Sequence, residues 1–381
     1  MAEPFKNLIN RETVEAAGHH LHRAWPAFPR ARFDALALDD LDALEMKARA
    51  MRIADALQAT LPADFDHAAR VIEASLAPPI PVDRPASASP AAHGLAGWVV
   101  WSLGEFVTRT ALADPARVPR ALTALHALTQ RFSAEFAIRP LIRDHPATVF
   151  ETLSRWVHDP SAHVRRLVSE GSRPRLPWGL RLQSLVDDPT PTLAWLRALQ
   201  DDPSEYVRRS VANHLNDIAK DHPALIADWL DAHLPDAPDP RRALLRHACR
   251  TLIKQGDPRV LRAWGIAGAF EGESGLRLAP RRIRIGESVT LQVTLRSRAT
   301  VPQALVVDYA VHHVKADGGR TPKVFKGWSL TLAPGERRAL ERRHSMRPVT
   351  TRVYRPGEHR VELRVNGHTV AHADFALGPA A

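Results

Sequence analysis

Hydrophobic and polar positions follow two periods along this chain, and the switch between them divides it. Up to Phe270 the period is helical. Residues 44–57 are rich in strong helix formers, with Leu44, Lys47 and Met51 set against Arg49 and Arg52. Residues 65–76 predict another helix after the breaker Pro62, and the Pro-, Ala- and Ser-rich stretch 77–90 predicts a loop. Residues 94–112, with Trp98, Val99, Val100, Trp101, Leu103, Phe106 and Val107, predict a buried helix. Further helices are expected at 118–132, 136–142, 148–158, 224–234 and 241–255, with a last short segment at 260–264. Beyond Phe270 the period is two. Gly272-Glu273-Ser274-Gly275 reads as a linker. Strand-like runs follow at 282–285, 289–295, 305–313, 324–330 and 359–365. Asn366-Gly367 predicts a hairpin turn between 361–365 and 369–375. Roughly seven short strands in about 105 residues predict an immunoglobulin-like or fibronectin-like sandwich.

The helical part contains a repeat. Asp159-Pro160-Ser161 followed by Val164-Arg165-Arg166 recurs as Asp202-Pro203-Ser204 followed by Val207-Arg208-Arg209, 43 residues later. That spacing is typical of HEAT or armadillo repeats. Asp-Pro ends one helix and sets up the next. In the following helix Val164, Leu167 and Val168 form one apolar stripe, and Val207 and Val211 form its counterpart. Each Asp-His-Pro, at 144–146 and 221–223, predicts a turn with proline in the first turn of a helix. The expected architecture is therefore multidomain, α plus β: an α-solenoid of HEAT-like repeats over 1–270, then an all-β immunoglobulin-like sandwich over 271–381.

Charge sharpens this picture. The net charge is +10, and residues 271–381 carry 19 lysines and arginines against 10 acids. The excess is nearly all C-terminal, which points to a polyanionic partner and favours the sandwich as an accessory contact for it over a passive module. Candidate contacts there are Arg281, Arg282, Arg284, Lys315, Lys323, Lys326, Arg342, Arg343 and Arg347. Cys249 is the single cysteine, which excludes an intrachain disulfide and a cysteine-based metal cluster. His19, His20 and His22 lack a matching ligand set. No apolar run is long enough to span a bilayer, and no nucleotide or redox motif is present. The expected protein is cytoplasmic and nucleoid-associated, a monomer without cofactor, metal, membrane association or obligate protein partner.

The central stretch, Val164 to Trp178 with Tyr206 to Ile218 and Lys220-Asp221-His222-Pro223, closely resembles the AlkC-type bacterial DNA alkylation repair glycosylases. The resemblance spans about residues 1–260. Some members of that family also carry a C-terminal immunoglobulin-like domain. The resemblance implies a concave helical scaffold on duplex DNA that hydrolyses the N-glycosidic bond of cationic N-alkylated bases such as 3-methyladenine. It places the active-site residues on Glu135, Glu170, Trp178 and Asp217. Arg165, Arg166, Arg173, Arg175, Arg208, Arg209 and Lys220 would then hold DNA phosphates.

The chemistry of these residue types suits that reaction. A cationic alkylated base is already a good leaving group, and its departure leaves an oxocarbenium-like sugar. Such a site must supply negative charge near the developing cation and a positioned water. Carboxylates do both, and an aromatic face attracts the cation. Each residue also has a blander reading. The Val-Arg-Arg pairs serve many HEAT repeats as structural ladders, Glu135 and Glu170 are solvated acids in that view, Trp178 is a tucked loop residue, and Asp217 pairs with an arginine of the preceding repeat. Two rival functions follow: a non-catalytic HEAT-repeat DNA-binding protein, or a HEAT scaffold for a protein partner.

Overall fold

The computed structural model describes residues 4–81, 93–266, 268–349 and 352–380. Its elements begin with helices α1 (Arg11–Ala24), α2 (Arg30–Leu38), α3 (Met46–Thr60), α4 (Phe65–Ser75), α5 (Val99–Leu112), α6 (Val118–Thr129), α7 (Ile138–Asp144) and α8 (Pro146–Trp156). They continue as α9 (Ala162–Gly171), α10 (Gln183–Asp187), α11 (Thr190–Leu199), α12 (Glu205–Ile218), α13 (Pro223–His233), α14 (Asp239–Ala248), α15 (Arg250–Gln255) and α16 (Pro258–Ala263). Eight strands follow: β1 (Gly272–Ala279), β2 (Arg282–Arg284), β3 (Ser288–Ser297), β4 (Gln303–Val314), β5 (Arg320–Leu332), β6 (Arg337–Ser345), β7 (Gly357–Val365) and β8 (His368–Gly378). The predicted loop at 77–90 lies outside the described residues from 82 onward.

Packing divides the chain into two compact units. One comprises residues 1–221 and 238–248, the other residues 222–237 and 249–381. In the first unit α9, α12 and α14 lie side by side, with α8 against α9 and α11 against α9 and α12. The repeat is visible atom by atom. The Asp159 carboxylate accepts from the Ser161 amide at 2.8 Å, and Asp202 accepts from Ser204 at 2.9 Å. Each Asp-Pro-Ser thus closes a turn in front of a helix. Val164, Leu167 and Val168 of α9 and Val207, Val211 and Leu215 of α12 are fully buried. Each such side chain contributes about 1.5–3 kcal/mol. Both Asp-His-Pro turns lead into helices with proline in the first turn, α8 and α13.

Two helical expectations are corrected. The stretch 241–255 forms two helices rather than one, broken at Cys249. In α3 the polar face does not include Arg49. That side chain is buried and donates to the carbonyls of Leu44, Lys6, Ile9 and Asp42. Four carbonyl acceptors satisfy a buried guanidinium as well as water does.

In the second unit β1-β3-β6 form one sheet and β2-β8-β7-β4-β5 the other. Leu278, Val289 and Leu291 from the first meet Tyr309, Val311, Val361 and Phe375 from the second in the core between them. The predicted linker at Gly272–Gly275 is instead the start of β1, paired with β3 from Gly272↔Ser297 onward. Among the described residues there are eight strands, against roughly seven expected. β6 carries Arg337, Arg338, Glu341, Arg342 and Arg343, so its outward face masks the period. Val365↔His368 closes a two-residue hairpin in which Asn366 and Gly367 both have positive φ, 50° and 83°, as the predicted turn requires. Helices α13 and α16 pack on each other, with Arg259 of α16 bonded to Asp228 and Asp231 of α13. No described helix is long and apolar enough to cross a membrane.

Candidate active site

One cleft of the first unit gathers three of the four active-site residues implied by the resemblance, Glu135, Glu170 and Trp178, with Arg166 and Arg173. Its volume is about 570 Å³, and Glu135, Arg166, Glu170, Arg173 and Trp178 line it together with Trp98, Phe132, Phe136 and Tyr206. Glu170 lies inside α9 and Asp217 inside α12. The same helices that carry Val-Arg-Arg therefore carry the carboxylates. Their parallel packing aligns Glu170 with Ser210, whose hydroxyl donates to Oε2 at 2.7 Å.

The charged groups form a chain. Arg166 Nη1 lies 2.6 Å from Glu135 Oε2, and its Nη2 lies 3.6 Å from Glu170 Oε1. Arg173 donates to Glu170 Oε1 at 2.6 Å and to Asp217 Oδ2 at 2.8 Å. Lys220 Nζ closes the series on Asp217 Oδ1 at 2.7 Å. The order is Glu135, Arg166, Glu170, Arg173, Asp217, Lys220. Glu170, Arg173 and Asp217 are buried, whereas Lys220 reaches solvent. Burial alone would raise the Glu170 pKa, but Arg166 and Arg173 outweigh it and hold the carboxyl below its ordinary range. Burial likewise works against the charge on Arg166, and Glu135 and Glu170 overcome it. Its guanidinium also sits 5.0 Å from the centre of the Tyr206 ring.

Trp178 stands at the edge of this charged floor. It is 68% exposed and adopts a left-handed φ of 65°. A non-glycine residue there stores strain of order 1 kcal/mol or more, a feature that gathers at functional sites. Phe5 packs on its ring at 5.9 Å and on Trp98 at 4.9 Å. The tucked-loop reading of Trp178 does not describe this geometry.

The other arginines are placed differently. Arg165 bonds the carbonyls of Asp159 and Pro160 and forks onto Asp202 of the next repeat. Arg208 makes the equivalent bonds to the carbonyls of Asp202 and Pro203. These two are rungs that tie a helix to its entering turn. Arg175 forks onto Asp221. Arg209 is exposed and lines a second cavity with Glu205, Arg208, Asp239 and His247.

Sequence reasoning passed over Arg139, which is fully buried. An arginine inside the apolar run 136–142 was its signal. Burial pushes it down to about 10, with Arg173 adding repulsion. It also passed over His214, pushed down to about 4 by burial, whose Nδ1 meets the Ser169 carbonyl at 2.9 Å between α9 and α12. The sequence pattern puts Trp98 in a buried helix and gives Phe132, Phe136 and Tyr206 no part in a site; only the cleft joins them.

Two families match the chain when it is compared with known proteins. A family described as DNA alkylation repair enzyme matches residues 129–252. A second, described as the C-terminal Ig-like domain of the uncharacterised protein YhaZ, matches residues 273–379. The YhaZ protein of Bacillus subtilis (strain 168) is 34% identical over 374 residues, spanning 98% of this chain and 99% of its own. Among solved structures, the Pseudomonas fluorescens alkylpurine DNA glycosylase AlkC bound to DNA containing an abasic site analog is 35% identical. That match covers 98% of this chain and 99% of AlkC, with a TM-score of 0.87.

Proposed function

The chain belongs to the AlkC family of DNA alkylation repair proteins that carry a C-terminal Ig-like domain, and on that premise we propose that it is a monofunctional DNA glycosylase. It acts as a monomer on duplex DNA and hydrolyses the N-glycosidic bond of cationic N-alkylated bases such as 3-methyladenine. Residues 1–270 carry the chemistry, and residues 271–381 add a second contact to DNA.

The observation that carries this reading is the row of carboxylates Glu135, Glu170 and Asp217, chained by Arg166 and Arg173 at the foot of an aromatic cleft. A leaving cationic base and an oxocarbenium-like sugar both call for preorganised negative charge. Glu135 and Glu170 line the cleft and face the sugar, and one of them positions the attacking water. Asp217 supports them through the shared Arg173. Trp178 presents its ring to the cation. Arg173 serves the carboxylates rather than a phosphate, because its donors are already committed in the interior. Lys220 and Arg209, being exposed, are the phosphate contacts of the helical part, with Arg175 at its margin. Arg165 and Arg208 keep the repeat in register.

The test is to incubate the protein with methylated duplex DNA and separate the released bases by chromatography. Free alkylated base with an abasic strand left uncut is the expected result. DNA binding without base release at any pH would leave the non-catalytic rival, and salt-insensitive or absent DNA binding would leave the protein scaffold.

A further inference from the structure

We infer that Arg139 is the positioning residue of this site, a buried clamp that fixes the loop carrying Arg173 and Trp178. The inference rests on the glycosylase reading for its kinetic arm and on geometry alone for the rest. The segment between α9 and α10 runs from Ser172 to Leu182 with little regular structure. Its own ties are few: Gly179 donates to the Leu176 carbonyl at 3.2 Å, and Leu182 donates to the Pro174 carbonyl at 3.2 Å. Such a loop does not by itself hold a tryptophan in a left-handed conformation, mostly in solvent.

Arg139 supplies what is missing. It enters from α7, and its guanidinium donates to the Gly171 carbonyl at the end of α9 at 2.8 Å and to two carbonyls of this stretch, Arg173 at 2.7 Å and Leu180 at 2.5 Å. Two of these bonds fix the start of the loop and one fixes its far limb. Trp178 lies between them. A planar fork with donors on separate edges spans the loop, which a lysine ammonium cannot do from one point. The fit is tight on both sides. A Cβ on Gly179 would stand 3.1 Å from Arg139 Nε and 3.0 Å from Leu176, and one on Gly171 would meet Ile138 of α7 at 2.6 Å. Arg139 is buried and does not line the cleft. It therefore acts through Arg173 and Trp178 and touches no substrate.

The test compares Arg139→Gln, Gly179→Ala and Trp178→Ala, singly and as the Arg139→Gln/Trp178→Ala double variant, in the full chain. Arg139→Gln removes the fork, and Gly179→Ala crowds it from the loop side while the arginine stays. Both are expected to lower single-turnover base release about 10- to 100-fold, the scale of misplacing a group by about an ångström, with DNA affinity changed less than about threefold. Trp178→Ala should cost less than about threefold more in the Arg139→Gln background, because the two act as one unit. Independently of activity, the Gly179 and Leu182 amides should exchange with deuterium at least about tenfold faster in both variants, with exchange in α9 and α12 unchanged. Parental exchange at those two amides, or a fully additive double variant, overturns the clamp. If Arg139→Gln does not fold, Gly179→Ala decides by the same two readouts. If the parent releases no base, the glycosylase reading fails while the exchange arm still decides the clamp.

Discussion

Arg173 Nε lies 2.8 Å from Asp217 Oδ2, a buried pair that joins the loop after α9 to the interior of α12. The same guanidinium reaches Glu170 at 2.6 Å. One cation thus holds two carboxylates close together, and with Arg166 it keeps Glu170 ionised against the effect of burial. The negative charge the reaction needs is in place before DNA arrives.

Removing that charge should stop chemistry before it stops binding. Asp217→Asn and Glu170→Gln are expected to cut single-turnover base release by about two to four orders of magnitude. DNA affinity should hold or rise, since a negative charge is lost near phosphates. The amides keep the shape, but an NH2 cannot accept the bond that Arg173 or Lys220 gives to Asp217, so Asp217→Asn should melt below the parent while remaining folded, and Glu170→Gln should melt lower as well because Arg173 loses a counter-charge. Release at the parental rate in both variants would exclude these carboxylates from the reaction.

Trp178→Ala should lose about tenfold in rate, as a cation–π contact contributes about 1–2 kcal/mol. Its ring is mostly exposed, so thermal stability should hold or rise slightly as the left-handed strain eases. A rate loss equal to that of Asp217→Asn would mean the ring does more than attract charge.

Arg208→Ala and Arg209→Ala should part company. Arg208 is bonded to the carbonyls of Asp202 and Pro203, one part-buried and one exposed, so its loss should cost about 0.5–1.5 kcal/mol of stability, the net worth of such a bond. Arg209→Ala should leave melting unchanged, weaken DNA binding and lower the salt slope by about one. The reverse assignment, read from binding titrations at several salt concentrations, would restore Arg208 as the phosphate contact.

The sandwich should weaken in acid through its histidines. Burial pushes His313 down to about 3 and His344 down to about 4, with Arg352 and Lys323 adding like charge to both, and burial lowers His359 as well. The unfolded chain takes up these protons near 6.5 and the folded one does not. Stability is therefore complete above about pH 6.5 and is lost as pH falls toward 4, by up to about 1.4 kcal/mol per pH unit for each histidine. His313→Phe should flatten the slope of urea stability against pH by about one proton. An unchanged slope would mean that His313 already titrates normally.

The sequence was enough for whatever depends on neighbours a few residues apart. The Asp-Pro-Ser turns, the apolar stripes of α9 and α12 and the Asn366-Gly367 hairpin follow from local backbone preference and period. The order of classes, helices and then a sandwich, follows from the switch of period after Phe270. Glu170 and Trp178 were legible because they stand in one long motif whose resemblance named them. Local rules failed where a long-range partner overrode them. Gly272–Gly275 has the composition of a linker, but β3 supplies a ladder that makes it a strand. β6 reads as a charge run because one face points to water. Arg49 and Arg139 carry the charge of surface residues, yet both are buried, because carbonyls distant in sequence converge on them. Which arginine serves a carboxylate, a carbonyl or a phosphate is likewise absent from the repeat motif. Arg165 and Arg166 are neighbours in one helix, but the helical rotation between them sends one to Asp202 and the other to Glu135. Helix packing brings Ser210 to Glu170 across 40 positions and Asp217 to Arg173 across 44, and only the tertiary structure makes those pairs neighbours.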